Sequence, residues 1–177
     1  MRPPQDARWL SQTVADHELK LLRYATSLVG PSLAADLVQE AFLRLCKQDR
    51  AEVEAYVAAW LFKVLRNLCW NAMRGERRMN LETMLDGIAS IGADPERHAA
   101  GRQRLSLAAK AMGDLPQRQA EALHLKLGAG LSYKQIAAVM DTSVSNVGVL
   151  VHTGLRSVRS ALAEVEQPSD SERVSTA

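Results

Sequence analysis

Apolar side chains recur every three or four residues along almost the whole chain, while helix-breaking residues are few and clustered. The ten glycines and six prolines include the groups Gly30-Pro31, Gly113-Asp-Leu-Pro116 and Gly128-Ala-Gly130. A period near 3.6 cut at such points dictates helices joined by short turns and leaves little room for strands. Residues 17–29 place Leu21, Leu22, Ala25, Leu28 and Val29 on one stripe, which Gly30-Pro31 ends. Ser32 is the expected N-cap of a second helix with Leu33, Leu37, Val38, Ala41, Phe42 and Leu45 inward. After a polar loop at residues 47–54, a long helix is expected over about residues 55–74. Its core face would be Val57, Trp60, Leu61, Val64, Leu65, Leu68 and Ala72.

Residues 79–93 have weak periodicity and read as a connector. Asp94-Pro95 then opens a helix reaching about Met112, and Pro116 opens another to Leu127. Ser132 caps a short helix over 133–140, Asp141-Thr142 makes a tight connection, and Ser143 caps a helix from Val144 to about Ala163. Two helices separated by so short a turn, with the small Ala137 and Ala138 where they cross, fit a helix-turn-helix. The expected architecture is all-α. Two small helical domains, at 8–78 and 94–163, are joined by a flexible linker at 79–93; the second contains the helix-turn-helix, and an acidic tail follows at 164–177.

Composition excludes several functions. No run of about 18 apolar residues is present, so no transmembrane helix or membrane insertion is expected. The start Met1-Arg-Pro-Pro-Gln-Asp lacks a signal peptide's apolar stretch, and a cytoplasmic protein is expected. Cys46 and Cys69 form no CxxC and have no metal-ligand spacing, which reads as two buried thiols and no metal site. No phosphate-binding glycine loop, HExxH or GxSxG occurs, and the four histidines neighbour no nucleophile. No catalytic residue and no cofactor are expected.

The net charge of +2 hides an uneven distribution. Residues 1–79 hold 12 basic and 9 acidic side chains, 80–105 hold 3 and 4, 106–162 hold 6 and 3, and 163–177 hold 1 and 4. The sharpest cluster is Lys63, Arg66, Arg74, Arg77 and Arg78 against Glu76 alone. Helical spacing sets Lys63, Arg66, Asn67, Trp70 and Arg74 on one face. Every aromatic residue except Tyr133 precedes residue 71, so any stacking on unpaired bases falls to the first domain. Trp70, inside that basic stripe, is either a partly packed indole or a contact to a base or partner.

Taken together, these segments resemble a known family. Asp36-Leu-Val-Gln-Glu-Ala-Phe-Leu-Arg-Leu45, Trp60-Leu-Phe-Lys-Val-Leu-Arg-Asn67 and Arg74-Gly-Glu-Arg-Arg78 are followed in order by Leu115-Pro-Gln-Arg-Gln119 and Gly130-Leu-Ser-Tyr-Lys-Gln-Ile-Ala137. The set is similar to bacterial RNA polymerase sigma factors of the compact extracytoplasmic-function (ECF) group, over roughly residues 17–162. The resemblance implies a factor that binds core RNA polymerase and directs promoter-specific initiation on double-stranded and melted DNA, with an anti-sigma factor as a further partner.

The resemblance also implies residue roles. Asp36, Gln39, Glu40 and Arg44 would contact core polymerase. Lys63, Arg66, Asn67, Trp70, Arg74, Arg77 and Arg78 would serve the minus-ten element, with the loop at 48–54 forming part of a base pocket and Trp60 in the core. Ser143, Ser145, Asn146, Val149, His152, Arg156 and Arg159 would serve the minus-thirty-five element. Gly148, Leu150 and Thr153 depart from the family pattern, which carries basic residues at those positions. On the residues alone a stand-alone helix-turn-helix regulator, or a helical adaptor that has lost DNA binding, stays open as an alternative.

Overall fold

The computed structural model describes residues 4–79 and 110–166, with side chains for 6–74 and 110–163. All regular structure among the described residues is helical. The first domain comprises α1 (Pro4–Val29), α2 (Pro31–Leu45), the single turn α3 (Arg50–Val53), a 3₁₀ turn (Glu54–Tyr56) and α4 (Val57–Met79). The second comprises α5 (Gln117–Leu123), which runs on through a π-helical turn (His124–Gly128), then α6 (Tyr133–Met140) and α7 (Val144–Glu166). Met79, the expected start of the connector, still belongs to α4; the rest of the connector, 80–93, and most of the helix expected from Asp94 lie outside the described residues, while residues 110–113, where that helix should end, are helical.

Gly30 is the hinge between α1 and α2. Its φ of 79° is a left-handed conformation open to glycine, and its N–H donates to the Thr26 carbonyl at 3.0 Å. Pro31 then occupies the first position of α2, where its missing N–H costs nothing. The cap is therefore Gly30, with no side-chain bond, rather than Ser32. Ala34, Val38, Ala41 and Leu45 are the buried row of α2. The polar stretch expected as a loop folds instead into α3, because Asp49 accepts from the Ala51 N–H at 2.9 Å and Val53 drops into the core.

Helix α4 is buried on two sides. Leu61, Leu65 and Leu68 belong to the expected face, but Phe62 and Cys69 are equally buried. The reason is tertiary: α4 packs on α1 and α2 on one side and on α6 of the second domain on the other. Phe62 meets the Tyr24 ring edge-on at 5.4 Å between centroids. Of the two cysteines only Cys69 is buried, and burial pushes its thiol up to about 12; Cys46, just past the end of α2, is exposed, contrary to expectation.

The second domain is set by capping and close approach. Ser132 accepts from the Gln135 N–H while the Gln135 side chain accepts from the Ser132 N–H, a reciprocal cap on α6. Asp141 closes α6 in a left-handed conformation at φ 49°, and Ser143 Oγ accepts from the Asn146 N–H to start α7. Where α7 crosses α5, a Cβ on Gly154 would stand 3.0 Å from Leu123 Cδ1, so a larger residue would have to push the Leu123 side chain aside. No helix among the described residues is long and apolar enough to cross a membrane.

Candidate nucleic-acid and polymerase interface

The polar face of α2 points away from the core. Asp36, Gln39 and Arg44 are exposed and Glu40 is half-buried, with Arg44 Nε donating to Glu40 Oε1 at 2.8 Å. Leu43 lies at helical spacing among them and is 58% exposed. A leucine left in water inside a polar rim has the anatomy of a protein contact. Sequence reasoning missed it because Leu43 interrupts neither the charge pattern nor the buried row.

On α4 the structure brings the basic row together, but against protein. Arg66 Nε donates at 2.7 Å to Glu121 Oε1 of α5, and the Tyr24 hydroxyl donates to the same oxygen at 2.8 Å. Glu121 is 2% exposed, so this carboxylate sits inside the contact between the domains. Burial raises the Tyr24 hydroxyl well above its ordinary value, and the Glu121 charge adds to that. For Arg66, burial alone would lower the guanidinium, but the hydrogen bond and charge of Glu121 outweigh it, and the net shift is upward. Lys63 reaches the second domain too, with Nζ at 2.7 Å from Asp141 Oδ1 in an exposed pair.

Trp70 is half-buried, its ring 5.5 Å from the Arg66 guanidinium, and thus partly packed. Asn67 and Arg74 are exposed, and with Arg66, Trp70, Met73 and Gln117 they line a cleft of about 470 Å³ between α4 and α5. Arg74 is steadied by its neighbours, donating to the Asn71 side chain at 2.7 Å. The side chains of Arg77 and Arg78 lie outside the described residues, although the backbone of α4 continues past them. The residues before α4 are held rather than open: Arg50 pairs with Glu54 at 2.7 Å and lies over the Trp9 ring at 5.5 Å.

Glu121 is the functional residue that the charge pattern did not reveal. Its signal is an acidic residue in the apolar row of its helix, beside Ala122 and one turn before Leu125. A carboxylate there must find a donor across an interface.

The helix-turn-helix presents one outward row on α7: Ser145, Val149, His152, Arg156 and Arg159 are all exposed. The inward row is Val147, Val151 and Gly154. Ser143 is engaged as the cap, and Asn146 Nδ2 donates to Thr142 Oγ1 at 2.9 Å. Of the three positions that depart from the family pattern, Leu150 packs partly against the core and the Thr153 hydroxyl turns back to the Val149 carbonyl at 2.7 Å. Gly148 is different from Gly154: a Cβ there would meet nothing nearer than Tyr133 Cε2 at 3.9 Å. Packing does not require it, and it costs the helix about 1 kcal/mol relative to alanine.

Family comparisons agree with this division. Residues 13–79 match the model of sigma-70 region 2 and residues 105–158 that of sigma-70 region 4. The ECF RNA polymerase sigma factor EcfG of Rhodopseudomonas palustris is 34% identical over 85% of this chain and 82% of its own length. The ECF sigma factor SigL of Mycobacterium tuberculosis is 29% identical over 85% and 86%. Among solved structures, sigma factor RpoE of Bartonella quintana, in complex with the anti-sigma factor NepR, superposes with a TM-score of 0.72 at 26% identity. That likeness covers 89% of this chain and 98% of that one, and so spans both domains. CnrH in complex with the cytosolic domain of CnrY gives 0.57 at 25% identity, over 91% of each chain. The chain belongs to the ECF RNA polymerase sigma factors, the initiation factors that bind core polymerase and direct it to promoters.

Proposed function

We propose that the outward face of α2, with Asp36, Gln39, Glu40, Arg44 and the exposed Leu43, docks on core polymerase. Lys63, Arg66, Asn67, Trp70 and Arg74, continued by Arg77 and Arg78, meet the minus-ten element, and the outward row of α7 meets the minus-thirty-five element. The two functional units are residues 8–78 and 94–163. The factor works in the cytoplasm by binding energy alone and carries no catalytic group; its effect is to choose where polymerase starts and to hold melted bases there.

The observation that carries this reading is the shared use of Arg66. The Arg66 guanidinium is turned to Glu121 and its side chain is only 14% exposed, so in this arrangement it is largely hidden from a DNA phosphate. The closed arrangement is therefore a resting form, and promoter contact requires the domains to part. With α2 held on polymerase, each DNA contact then raises the effective concentration of the other. An anti-sigma factor would act in the opposite sense, by holding the α2 and α4 faces out of reach; the likeness to sigma factor RpoE, solved in complex with the anti-sigma factor NepR, supports a partner of this kind.

The test is reconstitution of the full chain with core polymerase and a promoter library. Stable core binding and a discrete set of opened promoters are expected. Asp36→Arg combined with Glu40→Arg should weaken core binding at least tenfold while circular dichroism stays unchanged. A folded chain that ignores core polymerase yet binds a specific duplex tightly by itself would favour a stand-alone regulator instead.

A further inference from the structure

From Val144 to Thr153, the part of α7 that faces a major groove in a helix-turn-helix, the chain has no Arg, Lys, Asp, Glu or Gln. Those are the side chains that read guanine and cytosine edges and most of those that read adenine. Asn146, the remaining adenine reader, already gives its amide to Thr142, and Thr153 spends its hydroxyl on the Val149 carbonyl. Besides Ser145 and His152, which are exposed and polar, what this stretch presents is apolar. Val149 is 57% exposed at the centre of the outward row, and Val144 is 48% exposed on its flank. Between them Gly148 leaves open space bounded by the Tyr133 ring. The cations follow at the far end of the row, at Arg156 and Arg159, with Lys126 held over Tyr133 at 5.2 Å.

Only one base edge in the major groove offers an apolar group, the C5-methyl of thymine. We propose that α7 reads its duplex site by packing Val149, flanked by Val144 and the recess at Gly148, against thymine methyl groups, with the cations serving as phosphate anchors. The inference rests on α7 being the reader of the minus-thirty-five element and names the chemistry by which it selects there. Val144 and Val149 lie outside the buried core and keep about half of their surface in water. Their burial against methyl groups is worth about a fourfold change in affinity for each methyl covered. Gly148 lets the helix axis approach the base edges closely enough for so short a side chain as valine to reach them.

The experiment uses holoenzyme reconstituted from the full chain and core polymerase. It selects from two duplex libraries randomised across the upstream element, one made with thymidine and one with deoxyuridine, which pairs identically and lacks the methyl. Thymine-bearing sites should be enriched from the first library and lose their advantage in the second. On the best site, each contacted thymine changed to uracil should weaken binding about fourfold. Val149→Ala should bind the thymine duplex more weakly than the unaltered protein does and separate thymine from uracil by a smaller factor. Val149 is exposed, so the variant keeps the core; Val144→Ala gives an independent second reading. Identical selection from both libraries, or a Val149→Ala protein that separates thymine from uracil as strongly as the unaltered one, overturns the proposal. An upstream element enriched from neither library, with Val149→Ala without effect, shows that α7 is not the upstream reader. Loss of a protein partner by Val149→Ala with DNA binding intact assigns the face to protein and overturns the proposal as well.

Discussion

The outward rows of α4 and α7 are built on contrary plans. On α4, Lys63, Arg66 and Arg74 fall within three turns, and two of the three are paired to carboxylates of the second domain. On α7, the row is open to solvent, and its first half carries no formal charge. Non-specific attachment to duplex DNA grows with the number of cations free to displace counterions. Covering the charged row and thinning the open one both act against it. The difference teaches that near-neutral net charge in this chain is not an absence of DNA-binding groups but an arrangement that leaves few of them free at one time.

The comparison can be broken most forcefully at Glu121. Glu121→Ala strands Arg66 and the Tyr24 hydroxyl at the domain contact, which should lose on the order of 3 kcal/mol. Because the stranded groups regain water when the domains separate, the loss should show as opening rather than unfolding. Small-angle scattering should give a larger radius of gyration, and binding of single-stranded minus-ten DNA should rise with a steeper salt dependence. Unchanged dimensions and unchanged DNA binding would mean that Glu121 does not hold the row of α4 closed.

A smaller effect, of the opposite sign, is expected at Gly148. Gly148→Ala should stabilise the chain by about 1 kcal/mol, read as a higher midpoint in thermal unfolding, since nothing obstructs the added methyl. Recognition of the upstream element should weaken in the same variant. Gain in both stability and affinity would show that the glycine serves neither packing nor approach to DNA.

Asp141→Asn sharpens the contrast between the buried and exposed contacts. Asparagine tolerates the left-handed conformation as aspartate does, so only the charge is removed. The pair with Lys63 is exposed, and its loss should cost well under about 1 kcal/mol and vanish at high salt. An effect as large as that of Glu121→Ala would contradict the ranking by burial.

The smallest effect concerns pH. Burial lowers His124 below its ordinary value of 6.5, so the folded chain keeps this imidazole neutral where the unfolded chain takes up a proton. Its contribution to stability is present above pH 6.5 and is lost as pH falls from there through the lower folded value. Urea unfolding at pH 7.5 and 5.5 should show a decline that is reduced in His124→Gln.

Elements held by local signals were legible in the sequence. Ser132, Ser143 and the Asp141-Thr142 turn announced the helix-turn-helix, because caps and turns are decided by neighbours in the chain. Long-range decisions were not legible. The periodicity of α4 suggested one core face, whereas Phe62 and Cys69 are buried by a second domain whose position no local pattern encodes. Likewise the row with Lys63 and Arg66 looked solvent-facing because contacts between domains are built from the same charged residues as open surfaces. The extent of α1, which starts at Pro4 rather than near His17, also escaped notice, since its early turns bury the polar Thr13 and pack Trp9 and Leu10 only partly against the core.

Asp141 does two jobs with one residue. Its backbone turns the chain from α6 into α7 and so sets the direction in which the recognition helix points, while its carboxylate grips Lys63 on the other domain. The aiming point of one DNA-binding unit is thereby also a mooring on the other. The pair with Lys63 ties this corner to α4, so a swing of α7 about the turn and a parting of the two domains would strain the same contact.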